Sequence, residues 1–220
     1  MRIGLFGGTF DPIHWGHLRS AEEVREALSL DRVLFVPASI PPHKKGHTTA
    51  PPRDRLNMVR LAVAKNPGFA VSVAEIRRAG VSYSIDTLRY FANRNKGRDA
   101  YYFILGIDAF RDIASWKNFK QLFSFCHFVV TSRPGDRHAN PLAGAPVAVR
   151  KLFCYDFIEK VHKHRSGTYL YFVKLTDIAI SASQIRKRVA AGKSIRYLVP
   201  SEVEAYIDKR KLYRNPEEER

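Results

Sequence analysis

With 220 residues, 45% of them hydrophobic, the chain can bury a full α/β core without covalent staples. Its two cysteines, Cys126 and Cys154, show no CxxC spacing, which excludes a disulfide framework and leaves both expected as buried thiols. Lys and Arg outnumber Asp and Glu by 37 to 21, and the formal charge of +16 selects anionic partners, nucleotides and nucleic acid alike. No apolar stretch approaches a membrane-spanning length and the first residues lack the pattern of a secretory leader, so a cytoplasmic protein without membrane contact is expected.

Residues 3–6 form a short apolar run read as the first strand. Gly7-Gly8-Thr9-Phe10-Asp11-Pro12-Ile13-His14-Trp15-Gly16-His17-Leu18 follows at once and opens a helix that continues through Leu28. A strand, a glycine turn and a helix start in succession gather unpaired N–H groups and the helix dipole into an anion site. Gly7 and Gly8 allow close approach of a ligand to the backbone, and His14 and His17, three apart, can turn both rings to that site. No Gly-Lys-Ser/Thr follows and the three-glycine dinucleotide spacing is missing, which excludes those two phosphate motifs.

Residues 32–37 read as a second, buried strand ending at Pro37. Strand, helix, strand implies a right-handed parallel crossover with its ligand outside the carboxyl ends of the strands. The loop over residues 38–47 leaves that same edge. His43 and Lys44 in it are either solvated or in contact with a phosphorylated substrate, and the position of the loop favours contact. A helix over 53–65 and a strand over 69–73 follow. Ser84 is then expected to cap a helix reaching about Asn93, a second helix start open to an anion.

Residues 101–105 are the next strand, with Gly106 and Asp108 just past its end. Asp108 is read either as a helix cap or as a carboxylate for ribose or a hydrated metal ion. Trp116 serves as core or as a stacking platform, and a helix follows through Phe123. After a strand over 127–131, Arg133 is placed to reach phosphate. Residues 136–146 are loop-like, 147–153 and 169–175 are read as strands, and 159–167 receives no assignment. Ser181 or Ser183 then caps a helix carrying Arg186, a third phosphate candidate, and a last helix spans 200–212. The expected architecture is α/β: a Rossmann-like doubly wound parallel sheet flanked by helices, with a small C-terminal helical part, one domain over 1–213 and a polar tail over 214–220.

Gly8 to His17 matches GxFxPxHxGH, the signature of the nucleotidyltransferase superfamily. Pro41-Pro42-His43-Lys44, residues 80–88, Leu105-Gly106-Ile107-Asp108 with Trp116, residues 180–188, and Val199-Pro200 through Tyr206-Ile207 extend the likeness. Over nearly its whole length the chain resembles the bacterial nicotinate-nucleotide adenylyltransferase family. That resemblance implies adenylyl transfer from ATP to nicotinate mononucleotide in NAD biosynthesis, giving deamido-NAD and pyrophosphate, with Mg²⁺ on the ATP phosphates and no dedicated protein ligands for it. By the same resemblance, His14, His17 and Arg186 are the catalytic residues. The resemblance likewise implies that Gly8, Phe10, Gly106, Asp108, Ile180, Ser181 and Ser183 bind ATP and that Ser84 and Trp116 bind the acceptor; position in the chain adds Gly7, Thr9 and Arg133 to the expected ATP contacts and His43 and Lys44 to those of the acceptor. Ala182 and Ser183 stand where the family usually has serine and threonine, and Ser84 where it commonly has threonine. The competing readings are the same chemistry on nicotinamide mononucleotide or another acceptor, and a basic nucleic-acid-binding protein, against which no RNP, KH or zinc-finger pattern appears. Homo-oligomer formation is left open.

Overall fold

The computed structural model describes residues 1–42, 50–95, 97–132, 142 and 144–214. The apolar run of β1 (Arg2–Gly8) is buried at Ile3, Gly4 and Leu5 in succession, as a strand covered on both faces requires. Helix α1 (Trp15–Ala27) buries Leu18, Ala21 and Val24 on one stripe and leads to β2 (Arg32–Pro37). Helix α2 (Pro52–Val63) starts on a proline, whose missing N–H costs nothing there, and β3 (Phe69–Val71) follows. A short α3 (Ala74–Arg78) precedes α4 (Ser84–Asn95), and β4 (Ala100–Gly106) returns through the centre of the sheet.

The second half runs α5 (Ile107–Arg111), a 3-10 turn (Ile113–Ser115), α6 (Phe119–Leu122), β5 (His127–Thr131), α7 (Val147–Arg150), β6 (Phe153–Asp156), β7 (Val161–His164) and β8 (Tyr169–Val173), then α8 (Ala182–Ala190) and α9 (Ser201–Lys209). The eight strands form one sheet in the order β3-β2-β1-β4-β5-β8-β7-β6. Strands β1 to β5 and β8 are mutually parallel, and β7 is antiparallel to both its neighbours. The order therefore reverses between β1 and β4, which makes their carboxyl ends the switch point of the sheet. Register aligns Gly8 with Pro37 and Gly106 with Thr131, so all four lie along that edge.

Side chains of the central strands alternate between two cores. Tyr102, Ile104 and Val129 join the cluster with Val24, Met58 and Ile207, whereas Phe103, Leu105, Phe128 and Val130 join the one with Leu88, Phe110 and Phe123. The C-terminal helices belong to the first of these: Ile185, Val203 and Ile207 are fully buried in it. Helix α9 is fixed to α2 by Tyr206, whose hydroxyl donates to Asp54 at 2.7 Å and accepts from Asn57 at 3.0 Å.

Three expectations change. Residues 147–153 begin as a helical turn, because the Pro146 carbonyl accepts from Val149 and Arg150 at 2.9 and 3.0 Å, and the strand starts only at Phe153. The unassigned stretch holds β7, whose sequence Val-His-Lys-His carries little apolar signal because it lies near the sheet edge. Cys126 is buried but Cys154, on the edge strand β6, is exposed. Among the described residues no helix is long and apolar enough to cross a membrane.

Candidate active site

A cavity of about 280 Å³ opens at the switch point, between Gly7, Gly8 and Thr9 on one side and Gly106, Ser84 and Trp116 on the other. Gly8 is required by the residue after next. Phe10, at φ +50°, folds its ring back so that a Cβ on Gly8 would stand 2.8 Å from it. That ring is buried and meets His17 edge-on, with centroids 5.1 Å apart, so the Phe10 side chain braces His17 from within the core. Gly106 differs: its backbone, at φ −74°, suits any residue, and nothing lies within 4 Å of where its Cβ would be. A side chain there would project into open space at the strand end.

His14 occupies the N-cap of α1 in extended conformation. Its ring stacks on that of His17, with centroids 3.7 Å apart and planes inclined by 26°, and its N–H donates to His17 Nδ1 at 3.3 Å. With Nδ1 accepting, the neutral His17 ring carries its proton on Nε2. Burial pushes the His14 pKa down to about 4, so this ring is neutral at pH 7. Its Nδ1 is buried and takes no hydrogen bond from any described residue.

Arg186, from the first turns of α8, reaches the same loop. Its Nη1 donates to the Asp11 carbonyl at 2.7 Å and lies 3.6 Å from the Asp11 carboxylate. Asp11 is 1% exposed, and its Oδ1 accepts from the Ala50 N–H at 3.0 Å and the Tyr213 hydroxyl at 2.7 Å. Burial and the Asp11 charge together push the Tyr213 phenol well above its ordinary pKa. Ser181 caps α8 by accepting from the Gln184 N–H, and the Ser183 hydroxyl lies 3.2 Å from it, so the two serines act together. The Ile180 carbonyl borders Gly16, which joins this segment to the start of α1.

On the far side, Ser84 is the first residue of α4 rather than its cap. The Tyr83 carbonyl accepts from Asp86 and Thr87, at 3.1 and 3.3 Å. Trp116 lines the cavity and meets Phe103 edge-on at 6.4 Å. Asp108 is the second residue of α5, half-exposed and 3.7 Å from Arg111, with Gly106 taking the cap position. His43, Lys44 and Arg133 lie outside the described residues. The structure thus forms two groups, His14, His17 and Arg186 at the start of α1 and Ser84, Gly106 and Trp116 around the cavity, joined by residues 7–9.

Sequence reasoning missed the supports. Arg55 is 1% exposed and donates from Nε, Nη1 and Nη2 to the carbonyls of Ala50, Thr9 and Ser39 at 3.0, 2.7 and 2.7 Å. A signal existed, since Arg55 shares the helical phase of Met58, Val59 and Ala62, where an apolar residue is expected. Glu75 is buried beside the cavity and its carboxyl is pushed up by that burial. Lys117, 4.6 Å from the Tyr83 ring and 3.4 Å from Asp86, adds a cation to the α4 start. Among the described residues no three His, Cys, Asp or Glu side chains are grouped to hold a metal ion.

A sheet reversing at β1/β4, with a glycine turn in the crevice that leads into a histidine-bearing helix start, defines a nucleotide-binding α/β protein of the nucleotidyltransferase class. The chain belongs to the cytidylyltransferase-like family, whose model matches residues 5–188. It is 48% identical over 217 residues to a Syntrophotalea carbinolica protein named "Probable nicotinate-nucleotide adenylyltransferase", covering 99% of each chain. A Geobacter metallireducens protein of the same name is 49% identical over 213 residues, covering 97% of this chain and 98% of its own. The fold is shared with Plasmodium falciparum nicotinic acid mononucleotide adenylyltransferase complexed with NaAD, at TM-score 0.72, 18% identity and coverage of 96% of this chain and 97% of that one.

Proposed function

We propose that this chain transfers the adenylyl group of ATP to nicotinate mononucleotide, a step of NAD biosynthesis. A 5′-phosphate oxygen of the mononucleotide attacks the α-phosphorus of ATP, the bond from that phosphorus to the bridging oxygen breaks, and deamido-NAD and pyrophosphate leave. The observation that carries this reading is a pair of helix starts at one switch point: α4, on the cavity beside Trp116, and α1 with its histidine pair, joined to that cavity by the glycine turn. Two anionic substrates meeting at one switch point call for that arrangement.

The nucleophile is already an anion at neutral pH, so the protein has to position and to neutralise charge. His17, as Nε2–H donor, and Arg186 act on the phosphates; His14, neutral in the free protein, orients His17 and adds a donor of its own. Gly7, Gly8 and the Thr9 main chain receive the phosphates, Phe10 braces His17, and Gly106 keeps the crevice open. Asp108 serves the ribose, and Ile180, Ser181 and Ser183 line the adenine side. The N–H groups at Ser84, with Lys117 nearby, receive the nicotinate carboxylate, and Trp116 stacks on its ring. His43, Lys44 and Arg133 are proposed as further phosphate contacts. Mg²⁺ enters as the ATP complex, held by phosphate oxygens and water. The cytoplasm is the compartment proposed, and residues 1–213 are taken as one domain because the C-terminal helices share the core that packs on β1 and α1.

Pyrophosphate release with ATP and Mg²⁺ tests the assignment, comparing nicotinate with nicotinamide mononucleotide. Charge-assisted hydrogen bonds to a carboxylate predict a preference for the acid of about 10- to 100-fold. Equal rates would refute carboxylate capture at α4, and no release with either would refute the function.

A further inference from the structure

Beneath the crevice a chain of buried hydrogen bonds runs from one group of site residues to the other. At the α1 end, Arg55 ties together Thr9 after β1, Ser39 after β2, and Ala50 before α2. Ala50 passes the tie to Asp11, whose carbonyl Arg186 holds. From Ser39 the chain turns the other way. The Ser39 N–H donates to Ser82 Oγ at 2.8 Å, and the Ser82 hydroxyl donates to the Glu75 carboxylate. The Thr87 hydroxyl donates to the same carboxylate at 2.5 Å, and Arg78 donates to Thr87 Oγ1 at 3.2 Å. Thr87 is the fourth residue of α4, the helix whose start faces the cavity.

Ser39, Arg55, Glu75, Ser82 and Thr87 are each buried, and the adenylyl-transfer chemistry assigns none of them a part in the reaction. Burying a guanidinium and a carboxylate is costly unless each is hydrogen-bonded, so a core of apolar residues would serve stability as well. What these groups supply instead is geometry. Arg55 has a rigid fork of donors, and Glu75 accepts from two hydroxyls, one just before α4 and one within it.

We propose that this chain sets the distance between the two substrate half-sites, with Arg55 and Glu75 as its positioning residues. The proposal rests on the adenylyl-transfer reading. In-line attack needs the phosphate oxygen within about 3–3.5 Å of the α-phosphorus, and a displacement of about 1 Å costs on the order of 100-fold in rate. The two reactants are carried by two separate segments, the glycine turn after β1 and the start of α4, which lie on opposite sides of the cavity. On the β2 side of the crevice the buried chain adds a side-chain link to the main-chain bonds by which Ala38 reaches Gly8 and Ile40 reaches Gly80 and Ser82.

Thr87→Val tests this with a near-isosteric loss of one hydroxyl, and Thr87→Ser restores it. Steady-state kinetics are measured with both substrates varied, on whichever mononucleotide the wild type uses faster. The expected result for Thr87→Val is a kcat lowered about 10-fold with both Michaelis constants within about threefold of wild type, the signature of lost alignment rather than lost binding. Thr87→Ser keeps kcat within about twofold, and Glu75→Gln, which keeps the shape and loses the charge, lowers kcat in the same direction as Thr87→Val. If Thr87→Val does not fold, as judged by circular dichroism, Ser82→Ala and Glu75→Gln supply the same comparison. A folded variant with wild-type kcat overturns the proposal, as does a loss confined to thermal stability. A wild type that prefers the amide refutes the acceptor assignment while the variant ratios still decide the buried chain. A wild type inactive on both refutes the two together.

Discussion

His14 stacks on His17, and burial holds the His14 ring neutral at pH 7. The unfolded chain takes up a proton on His14 near pH 6.5 and the folded chain only at about 4. Between those values the unfolded state binds more protons, so stability is lost as pH falls through this window and is unaffected above it. The loss is worth roughly 3 kcal/mol, and it should disappear from the pH-dependence of urea unfolding in His14→Asn. His127, His162 and His164, also held low by burial, leave a residual slope of the same sign. An unchanged slope in the variant would show that His14 titrates normally. For His17→Ala the expectation is kinetic. Removing a donor aimed at growing phosphate charge lowers kcat about 100- to 1,000-fold while the Michaelis constant of the mononucleotide moves little, as read in the pyrophosphate assay.

Among the elements, α9 makes its main polar attachment to α2 through one phenol. Tyr206→Phe leaves buried Asp54 with Arg210 at 3.3 Å among the partners described here, and it should cost about 1–3 kcal/mol. For a chain of this size that is a fall in melting temperature of several degrees, with kcat unchanged; a melting curve identical to wild type would show the bond to be idle. Elements that declare themselves locally were legible in the sequence. β1, β2, β4 and β5 are continuous branched or aromatic runs ending at Gly, Pro or polar residues, and the glycine turn with its two histidines lies within ten positions. Residues 147–153 misled because Val147 and Val149 have strand composition while Pro146 sets a helical turn, with only Val149 buried. β7 hid because its run Val-His-Lys-His, one strand in from the sheet edge, is only partly buried up to His164 and needs little apolar surface. The partners of Arg55, Glu75 and Asp11 were not legible for a deeper reason. What buries a charged residue is set by partners from other elements, such as Asp11 with Ala50, 39 positions away, and Arg55 with Thr9, 46 away, and beyond the helical phase of Arg55 no local pattern encodes them.

Taken whole, the molecule carries 16 more basic than acidic side chains, and its substrates are both anions. Such a field speeds encounter and is screened over about 10 Å at 0.1 M salt. Raising ionic strength from about 0.02 to 0.5 M should therefore lower kcat/KM for ATP severalfold while kcat at saturation changes little. A kcat/KM independent of salt would mean that the charges are distributed without regard to the crevice.

The hydrogen bond from Tyr213 to Asp11 joins positions 202 apart in the chain. Translation delivers the turn with its two histidines about two hundred residues before the phenol that anchors it. While synthesis is under way, the first strand, helix and second strand can pair, yet Asp11 waits for its hydroxyl and its carbonyl waits for Arg186. A nascent chain on the ribosome therefore carries the signature without a finished site. Synthesis through Tyr213, not pairing of the first two strands, is the event that makes the site whole.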